Sequence, residues 1–271
     1  MKKVILAIAT LMLTLSCAQN KAAKVLVLYY SQNGTTKAVA EEICSRLGAD
    51  VEEIVAEDPY NGNFQETIER CMKEREAGVI PEVKPLSTDI KAYDVIFIGY
   101  PVWFGTYAPP VAAMLKSVDF SGKKLVPFCT FGSGGLDSSA KDLKAAQPEA
   151  EVLPGYGVRA ARMEAVPQEV DRFLKEGGFL EGEYEKYDDF SEVRIVTEEE
   201  SAIFDAAVGD YPMIHAKACK VSSRAVTGGT EYLFEAEDNP ADPRFADMPR
   251  TMKVYVLALE GQAPVFTQVL R

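Results

Sequence analysis

Ser31, Thr35 and Thr36 place three neutral hydroxyl donors within six residues, around an Asn33-Gly34 pair that lets the backbone turn through left-handed geometry. Their shared chemistry is anion binding. Val39, Ile43 and Leu47 recur behind them at helical spacing, so the first turn of a helix aims its unsatisfied N–H groups back into the same loop. With Gln32, residues 31–36 form a seat for phosphate. The loop has no lysine, and its spacing fits neither Gly-x-x-x-x-Gly-Lys-Ser/Thr nor Gly-x-Gly-x-x-Gly. This argues against nucleoside triphosphates and dinucleotides and favours a dianionic monophosphate held by neutral donors.

Two further stretches have unusual composition. Tyr100-Pro101-Val102-Trp103-Phe104-Gly105-Thr106-Tyr107 carries the only tryptophan among other aromatics, and Thr130 leads into Phe131-Gly132-Ser133-Gly134-Gly135. Acid–base chemistry has no comparable signal. Carboxylates are plentiful but unpatterned, and the single histidine, His215, rules out a histidine metal cluster elsewhere in the chain. Ser222 and Ser223 lie near it without a Gly-x-Ser-x-Gly elbow. Cys44, Cys71, Cys129 and Cys219 show no Cys-x-x-Cys pairing and read as buried thiols rather than a zinc site or a redox dithiol. We assign no catalytic residue and no metal ligand.

The elements that must position these loops alternate between strand and helix. Residues 24–30 and 94–99 are apolar runs behind an opening Lys24 and Asp94, and 124–130 is a third buried strand, as expected where helices cover both faces of a parallel sheet. A shorter strand is expected over 50–55, with a polar helix over 64–77 ended by Gly78. Pro109-Pro110 suits the first turn of a helix running through Leu115. A helix over 138–146, a strand over 151–153 and a helix over 170–174 complete the pattern. The expected class is α/β, a doubly wound parallel sheet with its ligands at the carboxyl ends of the strands.

At the phosphate loop, and above all at Gly99-Tyr100-Pro101-Val102-Trp103-Phe104-Gly105, the chain resembles the flavodoxin family over residues 24 to about 176. The resemblance implies a domain over 24–178 that binds flavin mononucleotide (FMN). Residues 31–36 would then hold the phosphate. Trp103 or Tyr107 would stack on the flavin ring, the Phe104-Gly105 backbone would meet its central nitrogen, and residues 130–135 would approach its far side.

At the amino terminus, Met1 to Cys17 has two lysines, an apolar run and Ser16-Cys17, which reads as a secretory signal too short to span a membrane. Leu13-Thr14-Leu15-Ser16-Cys17 resembles a bacterial lipobox, with Thr14 where leucine is usual. That resemblance implies cleavage before Cys17, a lipid on its thiol, and a protein of the bacterial cell envelope facing the periplasm or the exterior. A net charge of −12 argues against nucleic acid as a partner and leaves membrane attachment to the lipid alone.

The 271 residues suit two domains. After an acidic linker over 179–194, the pattern over 195–271 changes to one helix and four antiparallel strands, an α+β domain. The helix, over 197–210, opens on a capping box of Thr197 and Glu200. Strands are expected over 216–226, 231–237, 251–259 and 265–270, with the first hairpin turning at 227–230. Val226-Thr227-Gly228-Gly229-Thr230-Glu231-Tyr232 and residues 253–262 resemble cystatins, inhibitors of cysteine proteases. Arg224 stands where that family usually has glutamine, and the second hairpin has no tryptophan. Docking to a protein partner therefore fits this domain better than inhibition.

For the whole chain, transfer of electrons to and from a redox protein partner fits better than an enzyme with a substrate of its own. The alternatives are an FMN-dependent quinone-type reductase and a flavin-free scaffold or inhibitor.

Overall fold

A computed structural model describes residues 23–209, 211–212, 214–238 and 251–271, so the signal read over 1–17 and its Cys17 lie outside the described residues. The first half is built from β1 (Val25–Tyr29), α1 (Thr35–Leu47), β2 (Asp50–Glu53), α2 (Phe64–Glu76), β3 (Val95–Trp103), β4 (Thr106–Tyr107), α3 (Pro109–Ser117), β5 (Lys124–Phe131), α4 (Leu136–Ala146), β6 (Glu151–Val152), β7 (Tyr156–Arg159) and α5 (Val166–Glu176). The strands run parallel in the order β2-β1-β3-β5-β6, with β7 following β6 along β5 and β4 folded back on β3.

The apolar strands are explained by their two faces. Leu26, Leu28, Ile96, Ile98 and Tyr100 point into one core with Val111 and Met114 of α3 and Leu143 of α4. Val27, Tyr29, Phe97, Val126 and Phe128 point into the other, with Val39 and Ile43 of α1 and Val170 and Leu174 of α5. Both faces are buried, so neither can be polar. The order reverses between β1 and β3, which opens a crevice at the carboxyl ends of these strands.

Two strands of this sheet differ most from the sequence expectation. The strand read as ending at Gly99 continues to Trp103, because Tyr100 and Pro101 pair with Cys129 and Thr130, and Val102 and Trp103 then pair with Tyr107 and Thr106. Glycine and proline obscure this extension in the sequence. The last strand comes in two pieces because Pro127 of β5 lies between the stretches that pair with β6 and β7 and offers no N–H to either.

The second half contains β8 (Arg194–Ile195), α6 (Glu198–Val208), β9 (Ala216–Val226), β10 (Gly229–Asp238), β11 (Thr251–Leu259) and β12 (Val265–Leu270). Its antiparallel sheet has the order β12-β11-β10-β9-β8, so a short strand ahead of the helix joins the four expected ones. Phe204 and Val208 of α6 lie on Val221, Phe234, Val254, Val256 and Phe266 of the sheet. The acidic connector is packed rather than loose. The Tyr187 ring lies 3.7 Å from the Arg172 guanidinium, Thr227 donates a hydrogen bond to Glu185, and Ser191 N–H donates to Ser223 O at 2.9 Å. His215 is exposed.

The capping box forms as expected, and Arg194 adds to it. Glu200 N–H donates to Thr197 Oγ1 at 3.2 Å, while the Glu200 carboxylate accepts both Nη groups of Arg194 at 2.7 and 2.6 Å. The Arg194 guanidinium, followed by the Thr197 donors, lowers the Glu200 pKa from 4.5 to about 2. The folded value lies below the unfolded one, so this stabilisation is complete above pH 4.5 and is lost as the pH falls toward 2. With a discount for the half-exposed Arg194, the stability gap between wild type and Glu200→Gln is expected to be roughly 2 kcal/mol at pH 7. Denaturant titrations across this pH range should show the gap closing in acid. A gap undiminished at pH 2 would mean that the charge contributes nothing.

Candidate functional site

At the end of β1 the chain turns through Gly34, whose φ of 90° and ψ of −12° place it in the left-handed region at the N-cap of α1. The cap makes no side-chain hydrogen bond. Asn33 Oδ1 instead accepts from Thr35 N–H at 3.3 Å and from Thr35 Oγ1 at 2.8 Å, and Ser31 Oγ accepts from Gly34 N–H at 3.1 Å. The first helical bond runs from Ala38 N–H to Gly34 O, so the N–H groups of Thr36 and Lys37 precede it. A helix start of this kind, with exposed Asn33 and Gly34, can accept an anion.

Two side chains of this loop have other partners. Thr36 is fully buried, and its hydroxyl shares a 2.8 Å hydrogen bond with Thr130 Oγ1, which fastens the start of α1 to the end of β5. Gln32 donates its amide to Tyr60 O at 3.1 Å and to Thr67 Oγ1 at 2.7 Å, so its side chain holds the segment before α2. The Ser31 hydroxyl, which accepts from Gly34 N–H, keeps its own hydrogen beside the helix start, whereas Thr35 gives its hydrogen to Asn33 Oδ1.

The aromatic stretch is a β3–β4 hairpin whose two turn residues both have positive φ, 52° at Phe104 and 82° at Gly105, as in a two-residue primed turn. Among the described residues Phe104 is the one non-glycine with positive φ, and it remains 52% exposed. Trp103 is partly buried, edge-on to Tyr60 at 5.3 Å and to Tyr30 at 5.9 Å. Tyr107 lies against buried Tyr100 at 5.8 Å. Burial raises the Tyr100 pKa far above its ordinary value, so the phenol stays neutral and donates to Ser139 Oγ at 3.1 Å. Ser138 Oγ donates to Gly105 O at 2.5 Å and fixes the turn to α4. The sequence places the start of this helix at Ser138, whereas it begins at Leu136, which puts both serines in its first turn.

The third stretch touches the second, since a Cβ on Gly135 would lie 2.6 Å from Val102 Cγ1. Thr130 and Phe131 are buried at the end of β5. Gly132 and Gly134 have a different constraint. A Cβ on Gly132 would lie 2.8 Å from Tyr211 Oη, and one on Gly134 would overlap Val269 O, so these glycines admit the carboxy-terminal half. Arg159, which the sequence did not single out, donates from Nε to Gly132 O at 2.8 Å. The three expected loops therefore meet at one edge of the sheet, joined by Thr36 to Thr130 and by Gly135 to Val102.

Among known proteins, a family model described as flavodoxin matches residues 24–171. No curated protein matches the chain significantly. Among solved structures, the chain is similar to a protein from Bacteroides eggerthii described as a flavoprotein, with 29% identity, a TM-score of 0.48 and coverage of 55% of this chain and 96% of that one. A second such protein, from Bacteroides uniformis, shows 26% identity, a TM-score of 0.49 and coverage of 56% and 99%. A flavoprotein from Lactobacillus acidophilus, solved in complex with FMN, shows 26% identity, a TM-score of 0.45 and coverage of 50% and 93%.

Proposed function

The chain belongs to the flavodoxin family, and on that footing we propose that it binds FMN at the three loops and passes electrons between protein partners in the bacterial cell envelope. The observation that carries this reading is the glycine-started helix α1, uncapped by a side chain and tied through Thr36 and Thr130 to the same strand ends that bear the strained, exposed Phe104 turn. Neutral donors at the Ser31 hydroxyl and the first amides of α1 suit a phosphate, with Thr35 Oγ1, bound here to Asn33 Oδ1, beside them. The flat surface at Phe104 and the Gly105 backbone suit the edge of an aromatic ring. When bound, FMN supplies the ability to take up and release electrons. The protein's part is to hold the phosphate, to present backbone groups to the ring and to keep neighbouring phenols neutral by burial.

Electron transfer is favoured over turnover of a separate substrate because the loops bring together donors and aromatics but no acid–base pair. The envelope location and the lipid on Cys17 rest on residues 1–17. Mass spectrometry of the mature amino terminus is expected to find that lipid, and Cys17→Ser is expected to release the protein from membranes. The cystatin resemblance of residues 195–271 rests on residues 226–232 and 253–262, and we read that unit as a docking module.

The deciding experiment follows flavin absorbance in purified protein mixed with FMN. Reduction should then be supported by a redox protein and not by reduced nicotinamide with a quinone. Nicotinamide-dependent quinone turnover would make the protein a reductase, and an absence of flavin binding would leave a scaffold.

A further inference from the structure

The carboxy-terminal unit lies beyond the family match and rests on the third loop. β12 is the edge strand of its sheet, so one side of it faces away from β11. On that side Val269 N–H donates to Ser133 O at 2.6 Å, and Val269 O occupies the space that a side chain on Gly134 would need. Arg159 completes the contact from the other unit. Its Nε donates to Gly132 O, its Nη1 donates to Phe266 O at 2.9 Å, and its guanidinium lies 3.4 Å from the centre of the Phe266 ring. Tyr211 packs on Phe266 at 5.1 Å and brings its hydroxyl against Gly132.

We propose that the carboxy-terminal unit is an internal clamp on the flavin site, with Val269 and Arg159 as positioning residues that hold loop 132–135 in the shape the flavin ring meets. The contact takes the carbonyl groups of Gly132 and Ser133 and leaves the loop's N–H groups to a ligand. A run of glycines has no preferred shape of its own, so unclamped it would have to be ordered at the expense of binding. The same contact covers the open edge of β12, which would otherwise invite strand pairing with other chains. The proposal rests on the FMN reading, and its test separates the two.

The test compares Val269→Pro with Val269→Ala in the full mature chain. Both replace the branched side chain that Val269 buries in its sheet's core, but only proline removes the N–H donor, and it does so on the side of an edge strand that β11 does not use. Hydrogen exchange at residues 132–136 of the flavin-free protein reads the clamp, and FMN and riboflavin titrations read its effect on the site. Faster loop exchange is expected in Val269→Pro than in Val269→Ala, with affinities for FMN and riboflavin both reduced about ten-fold and their ratio unchanged, because the phosphate seat is untouched. Arg159→Lys, which keeps the charge but loses the fork, should act in the same direction. Equal loop exchange in the two Val269 variants overturns the clamp. Faster exchange with unchanged flavin affinity overturns its positioning role. Faster exchange in a protein whose wild type binds no FMN sustains the clamp and overturns the flavin reading instead.

Discussion

FMN is expected to bind roughly 100-fold or more tightly than riboflavin, which differs from it only in lacking the phosphate. The start of α1 can give a phosphate backbone N–H groups that precede the first helical bond, with Ser31 and Thr35 hydroxyls alongside. Each hydrogen bond to a charged group contributes roughly 1.5–3 kcal/mol, so two of them are enough for that ratio. No lysine in the loop neutralises the phosphate, so the preference should persist at raised salt more than that of a basic site would. Paired titrations by flavin absorbance or fluorescence measure the ratio directly. Equal affinities would show that the turn at Gly34 is merely the start of a helix. Gly34→Ala provides a second check, because a Cβ at a φ of 90° is strained even where space is open, and a shift of the turn should lower FMN affinity more than riboflavin affinity.

Phe104→Gly should raise stability and lower flavin affinity together. A non-glycine residue in the left-handed region costs roughly 1 kcal/mol or more, and glycine removes that cost. The ring contributes little to the core in return, since half of it is exposed. Its loss should weaken flavin binding by roughly 1–3 kcal/mol, the range for an aromatic platform under a stacked base. Trp103→Ala is expected to behave differently, because its ring packs against Tyr30 and Tyr60 and its removal leaves a gap in the protein itself. Thermal melts without flavin and titrations with it distinguish the two variants. A Phe104→Gly protein that melts lower than wild type and binds FMN equally well would remove both the strain argument and the stacking role.

Trp103 and Phe104 also show where sequence reasoning reaches its limit. They are adjacent and aromatic, and the family resemblance implies that Trp103 or Tyr107 stacks on the flavin ring while Phe104 offers its backbone. The tertiary structure leaves Phe104 exposed at the turn and packs Trp103 against Tyr60, which follows β2, because β3 extends four residues beyond Gly99. The contact comes from a distant part of the chain, and no local pattern encodes it.

The sequence by itself determined what depends on short-range chemistry. The apolar runs of β1, β3 and β5 follow from burial on both faces, the donor-rich turn at residues 31–36 follows from Asn33-Gly34 ahead of a helix, and the Thr197 and Glu200 cap follows from a spacing of three residues. Only the tertiary structure decided what lies against the glycines at 132 and 134. Nearby residues suggested close approach of a ligand, whereas the atoms that would meet a Cβ there belong to Tyr211 and Val269. Arg159 remained hidden for the same reason, since its partners are a carbonyl of the third loop and the Phe266 ring. Periodicity and turn chemistry are set by neighbours in the chain, but the space around a glycine and the partner of a lone arginine are set by whichever surface folding brings against them.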